Sequence, residues 1–217
     1  MTTLKMIARQ AFGIGLVLLL IPGIAGGGEP TDQVKETVDK VIEILKNPAL
    51  KGPAKIAERR AKIRGVVKER FDFAETARRS LGIYWAQRTP QERKEFVNLF
   101  WDLLELSYVD KIETYSDEKI LYVGEVVEGD FAMVRSRIED RKHLAFPLEY
   151  RLFKRDDRWW VYDVVIEGVS LISNYRTQFN KIIRTASYEE LIRRMRAKLE
   201  GELVEGLSMP EPKGRSQ

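Results

Sequence analysis

The sequence lacks cysteine altogether and has a single histidine, His143, in 217 residues. Without cysteine there is no disulfide framework, no thiol nucleophile, no cysteine-ligated zinc or iron site and no acyl-thioether lipoprotein anchor. One imidazole argues against most transition-metal sites and against Ser-His-Asp catalysis. The chain also contains no glycine-rich phosphate loop, no paired acid motif and no metal-ligand spacing. These absences argue against metal-dependent catalysis and against thiol or Ser-His-Asp catalysis.

The sequence also has little excess charge of either sign. Its 37 Lys and Arg residues and 33 Asp and Glu residues are interspersed and leave a formal net charge of +4. That balance is too small to indicate nucleic acid as a partner. The hydrophobic content of 44% is ample for a folded core, and the length suits one or two domains. We expect a folded protein, and the main reason to expect no nucleic acid as its partner is the export that the N-terminal sequence predicts.

Long apolar runs are absent except for one near the N-terminus. Lys5 and Arg9 precede an apolar stretch from Ile14 to Ile21, and small residues follow at Gly23-Ile24-Ala25. These features are typical of a secretory signal peptide. The stretch is shorter than the roughly 20 apolar residues that span a bilayer, which disfavours an uncleaved anchor. The pattern predicts that residues 1–25 form a cleaved signal peptide and that the mature protein is exported.

Helical periodicity dominates the first part of the mature chain. A helix is predicted from Thr31-Asp32 to Asn47-Pro48, and a second helical segment, rich in Lys and Arg, occupies residues 54–70. The strongest helix follows Thr89, a capping residue with Pro90 at the first helical position. Apolar and aromatic residues recur along this helix at spacings of three and four, which gives it a wide apolar face.

Between Glu118 and Glu167 the apolar period changes to two. Turn residues divide this region into four strands of an antiparallel meander. The alternation predicts one continuously apolar sheet face, to which the fourth strand contributes Trp160, Tyr162, Val164 and Ile166. Helices are the only elements available to cover that face. The sequence therefore predicts an α+β fold, an antiparallel four-stranded curved sheet covered on one face by helices.

The chain returns to helical periodicity after the fourth strand. One predicted helix begins near Leu171, and a capping box of Ser187 and Glu190 starts the last one. Beyond Gly206 the sequence has neither apolar periodicity nor core-forming residues at regular spacing. We predict a folded domain over residues 29–206 and a disordered tail over residues 207–217.

Several segments resemble the MlaC family, the toluene-tolerance or ABC-transporter auxiliary proteins of Gram-negative bacteria. The run from Trp160 to Ile172, WVYDVVIEGVSLI, resembles the strand-to-helix signature of that family. Further similar segments occur in the family's order: Ser80-Leu81-Gly82 with Trp85, Thr89-Pro90-Gln91-Glu92-Arg93 with the helix to Tyr115, Asn174-Tyr175-Arg176, and Gln178-Phe179. Together they extend over about the whole mature chain.

The resemblance implies a periplasmic phospholipid-binding carrier that needs no cofactor. Such a carrier shuttles lipid between an inner-membrane ABC transporter complex and an outer-membrane lipoprotein complex, and so maintains outer-membrane lipid asymmetry. The implied fold is similar to a nuclear-transport-factor-2-like (NTF2-like) cone with a helical extension, in agreement with the order of helices and strands. We expect a monomer, because a carrier must dock at two membranes.

A phospholipid carrier has to enclose the acyl chains. About 30 chain methylenes at roughly 0.8 kcal/mol each would cost on the order of 20 kcal/mol in open water. An apolar cavity is therefore required, and the apolar sheet face with its helical cover would supply it. The candidate lipid-binding residues are Tyr108, Ile112, Val134, Phe146, Leu148, Tyr150, Trp160, Tyr162, Val164, Val169, Ile172, Tyr175 and Phe179.

Periodicity alone does not distinguish a hollow interior from a filled one, so a non-catalytic adaptor domain with a filled core is an alternative. The basic segment 54–70 would then offer a surface for anionic headgroups or an acidic partner, but Glu58 and Glu69 interrupt it and favour an ordinary solvated face. Arg176 is a candidate for the rim of a lipid cavity, where it would meet phosphate, although a solvated charge is the plainer interpretation.

An enzyme built on an NTF2-like cone is the third hypothesis. It would use Tyr150, Tyr162 and Asp163 for proton abstraction in an apolar pocket. Neighbouring residues of a strand point to opposite faces, so Tyr162 and Asp163 share a pocket only if a bulge intervenes. We expect Asp163 to act instead as a cap or to pair with Arg151 or Arg137.

Overall fold

The computed structural model describes residues 28–115, 117–139, 145–201 and 207. The predicted signal peptide and the tail after residue 207 lie outside the described residues. So does His143. Among the helices that are described, none is both long enough and apolar enough to cross a membrane.

Six helices and five strands make up the described chain. The helices are α1 (Glu29–Lys46), α2 (Ile56–Lys68), α3 (Phe73–Leu81), α4 (Pro90–Glu113), α5 (Leu171–Thr185) and α6 (Tyr188–Leu199). The strands are β1 (Lys119–Glu128), β2 (Phe131–Glu139), β3 (Ala145–Arg155), β4 (Arg158–Ile166) and β5 (Val169–Ser170). A 3₁₀ turn, Gly82–Gln87, connects α3 to α4.

The starts of α4 and α6 follow the predicted capping residues, whereas the predicted cap of the first helix at Thr31-Asp32 is wrong, because α1 already begins at Glu29. Thr89 accepts a hydrogen bond from the backbone N–H of Glu92, whose carboxylate accepts one from the Thr89 N–H, so the capping box of α4 is complete. Ser187 caps α6 in the same way by accepting from the N–H of Glu190. These caps satisfy backbone donors that the first helical turn leaves unpaired.

The strands form one antiparallel sheet in the order β1-β2-β3-β4-β5. The predicted α+β class is confirmed, but the sheet has five strands rather than four. The extra strand arises because Glu167 and Gly168 both adopt positive φ values, 49° and 81°, and reverse the chain. Val169 and Ser170 therefore pair with the end of β4 before α5 begins.

A bulge in β4 overturns the alternation predicted for that strand. Asp163 pairs with Arg151 while Val161 pairs with Leu152, so two residues of β4 that should share a face lie on opposite faces. Trp160 pairs with Phe153 on the outer face of the sheet, and the Tyr162 ring also contacts Phe153. The prediction that Trp160 and Tyr162 share the apolar face with Val164 is therefore wrong.

The bulge brings two other residues of β4 to the inner face of the sheet. Trp159 and Val161 are 3% and 0% exposed and pack with Val134, Tyr150 and Leu152. We call this inner side the core face. Val34 and Val38 of α1 cover it, and the sheet cluster they complete comprises Val34, Ala132, Val134, Tyr150, Leu152, Trp159 and Val161.

A second apolar cluster is built from helices. We call it the helical cluster; its members include Phe96, Phe100, Leu103, Tyr175, Phe179, Leu191 and Met195. Aromatic rings of α4 and α5 meet edge to face, with the Phe100 and Tyr175 centroids 5.1 Å apart. Leu207, which the sequence analysis places in the tail, is buried in this cluster. The described hydrophobic interior is thus divided in two.

Buried polar residues fasten α1 to the sheet. The Arg70 guanidinium donates to the backbone carbonyl of Trp159 at 2.8 Å and to the Gln33 side chain. Gln33 in turn accepts from the Trp159 N–H at 3.1 Å. At the start of α1, the Glu125 carboxylate accepts from both the N–H and the hydroxyl of Thr31. The first helix is therefore fixed over the turn end of the sheet, where β1–β2 and β3–β4 are joined.

Ion pairs join α2 to the C-terminal half of α4. Glu113 binds both Arg59 and Arg60 at 2.7 Å, and its side chain is only 13% exposed. Arg60 also reaches Asp110, and Arg64 binds Asp102 and Glu105 of the same helix. The expectation of a solvated basic face is wrong for these three arginines, because α4 presents a row of carboxylates to them.

We expect Asp163→Ala to lower the free energy of unfolding by about 2 kcal/mol, because the start of α5 depends on this buried carboxylate. Asp163 is 4% exposed and accepts from the Ser170 hydroxyl at 2.6 Å and from the Ile172 N–H at 3.1 Å. Urea unfolding measures the change. Asp130→Ala, at an exposed turn aspartate, should stay within about 0.5 kcal/mol of the parent protein. Equal effects of the two substitutions would contradict the capping role.

Glu113→Gln tests the α2–α4 ion pairs through their pH dependence. The Arg60 and Arg59 guanidiniums lower the pKa of Glu113, so the carboxylate stabilises the fold at neutral pH, and that stability is lost as the pH falls through the lowered pKa. We expect the variant to be less stable by about 1–2 kcal/mol at pH 7, with the difference closing below about pH 4. Glu128→Gln, at an exposed strand end, is the control. A pH-independent difference would count against the ion pairs.

Candidate functional site

Burial changes along the core face of the sheet. Near the β1–β2 and β3–β4 turns, Ala132, Leu152 and Val161 are almost fully buried. Towards the opposite end the apolar side chains are only half-buried, although their register places them on the same face. We call this region the open end of the core face; it consists of Ile120, Tyr122, Ile138, Phe146, Leu148 and Ile166.

The helices that bear half-buried apolar side chains belong to two different parts of the chain. Tyr108 and Ile112 lie in the C-terminal half of α4, and Val41, Ile42 and Leu45 lie in the C-terminal half of α1. None of these five residues belongs to either of the two core clusters of the described chain. The α2–α4 ion pairs attach the same half of α4 to α2, which itself packs on α1.

Two tyrosine hydroxyls, one on α4 and one on β1, are buried without a hydrogen-bond partner among the described residues. The hydroxyls of Tyr108 and Tyr122 have no partner in the part of the chain that the structure describes. Burial raises the pKa of both tyrosines, so both keep their proton and remain donors. An unmet donor in an apolar setting costs free energy, on the order of 1–3 kcal/mol. Such groups are suited to bind an oxygen of a ligand.

The structure does not gather the predicted lipid-binding residues in one place. Val134, Tyr150, Leu148 and Val164 belong to the sheet cluster or pack against it. Tyr175 and Phe179 belong to the helical cluster, and Ile172 is buried at the start of α5. Tyr108, Ile112, Phe146 and Val169 are half-buried and belong to neither cluster, and Leu148 is half-buried at the edge of the sheet cluster. Trp160 and Tyr162 lie on the outer side of β4.

The sequence analysis missed Trp159 and Val161 on the core face and the contribution of β1. The bulge that turns Trp159 and Val161 inward depends on backbone register, for which the alternation of residue types gives no signal. The β1 residues Ile120 and Tyr122 stand two apart, so period-two alternation could have identified them.

Two of the concavities on the described surface are lined by residues other than the predicted lipid-binding ones. One, of about 500 Å³, lies between α4 and α6 and is lined by charged residues such as Glu92, Glu95 and Arg193. The other, of about 600 Å³, lies beside the C-terminal half of α1 and includes Asp39 and Ile42. Their charged walls are unlike the apolar lining expected for acyl chains.

The residues considered for catalysis are not gathered in one pocket. A bulge does intervene at Tyr162, but the Asp163 carboxylate accepts from Ser170 and Ile172 and pairs with Arg151 at 3.4 Å. The cap and ion pair expected for Asp163 are thereby confirmed, and burial raises the pKa of this carboxyl. Tyr162 lies under the Arg79 guanidinium, 4.1 Å away, whereas Tyr150 packs on the core face.

The described residues offer no candidate metal site. Residues 28–115, 117–139, 145–201 and 207 contain no group of three or more His, Cys, Asp or Glu side chains that could hold an ion. What these ranges offer is an apolar surface with a few hydroxyl donors.

Comparison with known proteins agrees with this architecture. A relative from Haemophilus influenzae, the intermembrane phospholipid transport system binding protein MlaC, is 28% identical over 120 residues, which are 53% of this chain and 56% of the relative. The chain thus spans little more than half the length of that relative. The fold is similar to that of the phospholipid-binding protein from Ralstonia solanacearum, solved in complex with a phospholipid. The TM-score is 0.70 at 24% identity, over 80% of this chain and 98% of that one.

The family model described as MlaC protein matches residues 35–197, from the first turns of α1 to the end of α6. The match includes all five strands and the helices that bear the half-buried apolar residues. Because it covers well over half of the chain, this protein belongs to the MlaC family.

Proposed function

We propose that this protein is a periplasmic carrier that binds one phospholipid, with the acyl chains between the open end of the core face and the C-terminal halves of the helices α1 and α4. The observation that carries the proposal is the half-burial of a continuous apolar surface inside the fold, between two clusters that do not merge. A filled core would bury such residues as completely as it buries Val134 and Leu152.

The energetics favour an acyl chain as the occupant of this surface. Each methylene removed from water contributes about 0.8 kcal/mol, and the half-buried side chains lose their own remaining contact with water at the same time. Phe146, Leu148 and Ile166 present aromatic and branched aliphatic surface without charge. Binding of an apolar ligand therefore removes apolar surface of both the ligand and the protein from water, whereas a polar ligand would lose its hydration without compensation.

The tyrosine hydroxyls suit the glycerol region of the same ligand. Tyr108 and Tyr122 remain protonated donors, and the ester carbonyls of a phospholipid are acceptors. A hydrogen bond to such an oxygen would satisfy a donor that has no partner among the described residues. The charged headgroup would stay in water at the rim of this surface.

The comparisons support phospholipid as the ligand and transport between two membranes as the role of the protein. The Haemophilus relative is named as the binding protein of an intermembrane phospholipid transport system, and the Ralstonia protein was solved with a phospholipid. The predicted signal peptide would place this chain in the periplasm. In that compartment a carrier would exchange lipid with an inner-membrane ABC transporter complex and an outer-membrane lipoprotein complex as a monomer. Binding and release would require no chemical reaction.

A charge on the open end of the core face should remove the lipid and leave the fold intact. We expect Leu148→Glu to lower the phospholipid carried per chain at least tenfold, because an acyl chain cannot solvate a carboxylate. The half-buried position lets the new side chain reach water. The measurement is solvent extraction and mass spectrometry of lipid from protein purified without detergent, with circular dichroism on the same sample.

Two matched substitutions serve as controls. Leu121→Glu introduces the same charge on the outer face, where Leu121 is 45% exposed, and should change neither lipid load nor fold. Val134→Glu places it in the sheet cluster at a fully buried site and should unfold the protein. A folded Leu148→Glu protein with a full lipid load would contradict the proposed location of the acyl chains.

A further inference from the structure

The 3₁₀ turn between α3 and α4 exposes an aliphatic side chain. Ile83 is 77% exposed, the highest value among the large apolar residues of the described chain. Its neighbours Tyr84 and Trp85 pack against the helical cluster. The turn is therefore anchored by its aromatic rings, and the exposure of Ile83 is set by the fold. We call residues Gly82–Gln87 the Ile83 turn.

Arginines hold the Ile83 turn at both ends. The Arg176 guanidinium donates to the Arg79 carbonyl at 2.8 Å, and the Arg176 side chain lies against Gly82, whose φ is +61°. At the other end Arg93 donates to the carbonyls of Trp85 and Ala86 at 3.1 and 3.3 Å. Both guanidiniums thus donate hydrogen bonds to backbone oxygen atoms. These bonds give some of their N–H groups an acceptor but do not neutralise their positive charge.

The surroundings of the turn carry a net positive charge. Within the part of the chain that the structure describes, neither Arg93 nor Arg176 has a carboxylate partner. The other ionic groups beside the turn are Arg78 and Arg79 with Glu75, Arg88 with Glu92, and Glu189, which is close enough to interact with the Arg88 charge. Five guanidiniums against three carboxylates leave an excess of two positive charges around Ile83.

We infer that the Ile83 turn is a docking surface for the headgroup layer of an anionic phospholipid bilayer. An aliphatic side chain at the tip enters the boundary between headgroups and acyl chains, and the surrounding arginines bind anionic phosphates. Tyrosine and tryptophan beside the tip are the aromatic residues enriched at membrane interfaces. The inference goes beyond the carriage of lipid, because it concerns contact of the protein's outer surface with a membrane.

Charge distinguishes this turn from the other exposed apolar residues. Val127 and Phe131 are 49% and 50% exposed, but they flank the β1–β2 turn, which contains Glu128 and Asp130. Carboxylates there would be repelled by an anionic bilayer. Val123 is 52% exposed and lies on β1, outside the Ile83 turn and far in sequence from the arginines that surround the turn. It therefore provides a matched control.

Vesicle flotation tests the surface with the purified protein. The vesicles contain either phosphatidylcholine alone or phosphatidylcholine mixed with phosphatidylglycerol. We expect the protein to float with the anionic vesicles and to be released by salt, which screens the arginines. Ile83→Asp should lower binding to anionic vesicles about tenfold or more, because the aliphatic contact is replaced by a repelled charge. Val123→Asp should bind as the parent protein does.

The charge requirement is tested at Arg176. Arg176→Gln should lower binding to anionic vesicles by about fivefold, whereas Arg176→Lys, which keeps the charge, should remain close to the parent protein. Circular dichroism of each variant verifies the fold. A loss of binding that Ile83→Asp and Arg176→Gln share, and that Val123→Asp does not show, would therefore report on the Ile83 turn.

Three results would overturn the inference. They are equal binding of the Ile83→Asp variant and the parent protein, equal binding to the two kinds of vesicle, and no vesicle binding by the parent protein. The last result would mean that the turn serves a protein partner or none. Lipid cargo measured in the same samples separates the two proposals. A variant that keeps its cargo but does not float supports the docking surface, and a parent protein that floats without cargo contradicts only the carrier.

Discussion

The register shift between Arg151 and Leu152 determines which side chains of β4 face the interior. It turns Val161 inward and Asp163 outward, so one strand contributes both to the sheet cluster and to the start of α5. The Asp163 carboxylate then caps that helix through the Ile172 N–H. The position of α5 in turn brings Tyr175 and Phe179 to the rings of α4. A single extra residue thereby couples the sheet to the helical cluster.

The division of the interior is the feature on which the proposed lipid site depends. Helix α1 covers the turn end of the core face and is fixed there by Arg70 and Glu125. At the open end the apolar surface is continuous with that core in register but remains half-buried. Protein interiors are normally packed at the density of organic crystals. An incompletely covered apolar surface inside a fold is therefore well suited to an apolar ligand.

Local sequence signals predicted the fold class and the starts of α4 and α6, but not the start of α1 at Glu29. Thr89 and Glu92 predicted the start of α4 because a capping box is a short-range interaction between neighbouring residues. Period-two alternation predicted the antiparallel meander for the same reason. The bulge in β4 and strand β5 were not predicted, because they depend on pairing between strands and on two positive φ values at a turn.

The candidate site was predictable only in part. Leu148, Tyr150 and Val164 follow from alternation on regular strand segments, whereas Trp160 and Tyr162 were assigned to the wrong side of β4. The pairing of Arg59, Arg60 and Arg64 with α4 joins residues about 40 to 50 positions apart, which no local pattern encodes. A hollow interior and a filled one require the same apolar residues, so it was the family resemblance that indicated lipid.

Native mass spectrometry of the protein, purified from a bacterial periplasm without detergent, tests the central claim most directly. The account predicts an added mass equal to one phospholipid per chain, which solvent extraction then identifies. A bare protein mass that persists after incubation with phospholipid would contradict the account. It would mean that the half-buried apolar end of the sheet is covered in some other way, and that the fold serves as an adaptor rather than a carrier.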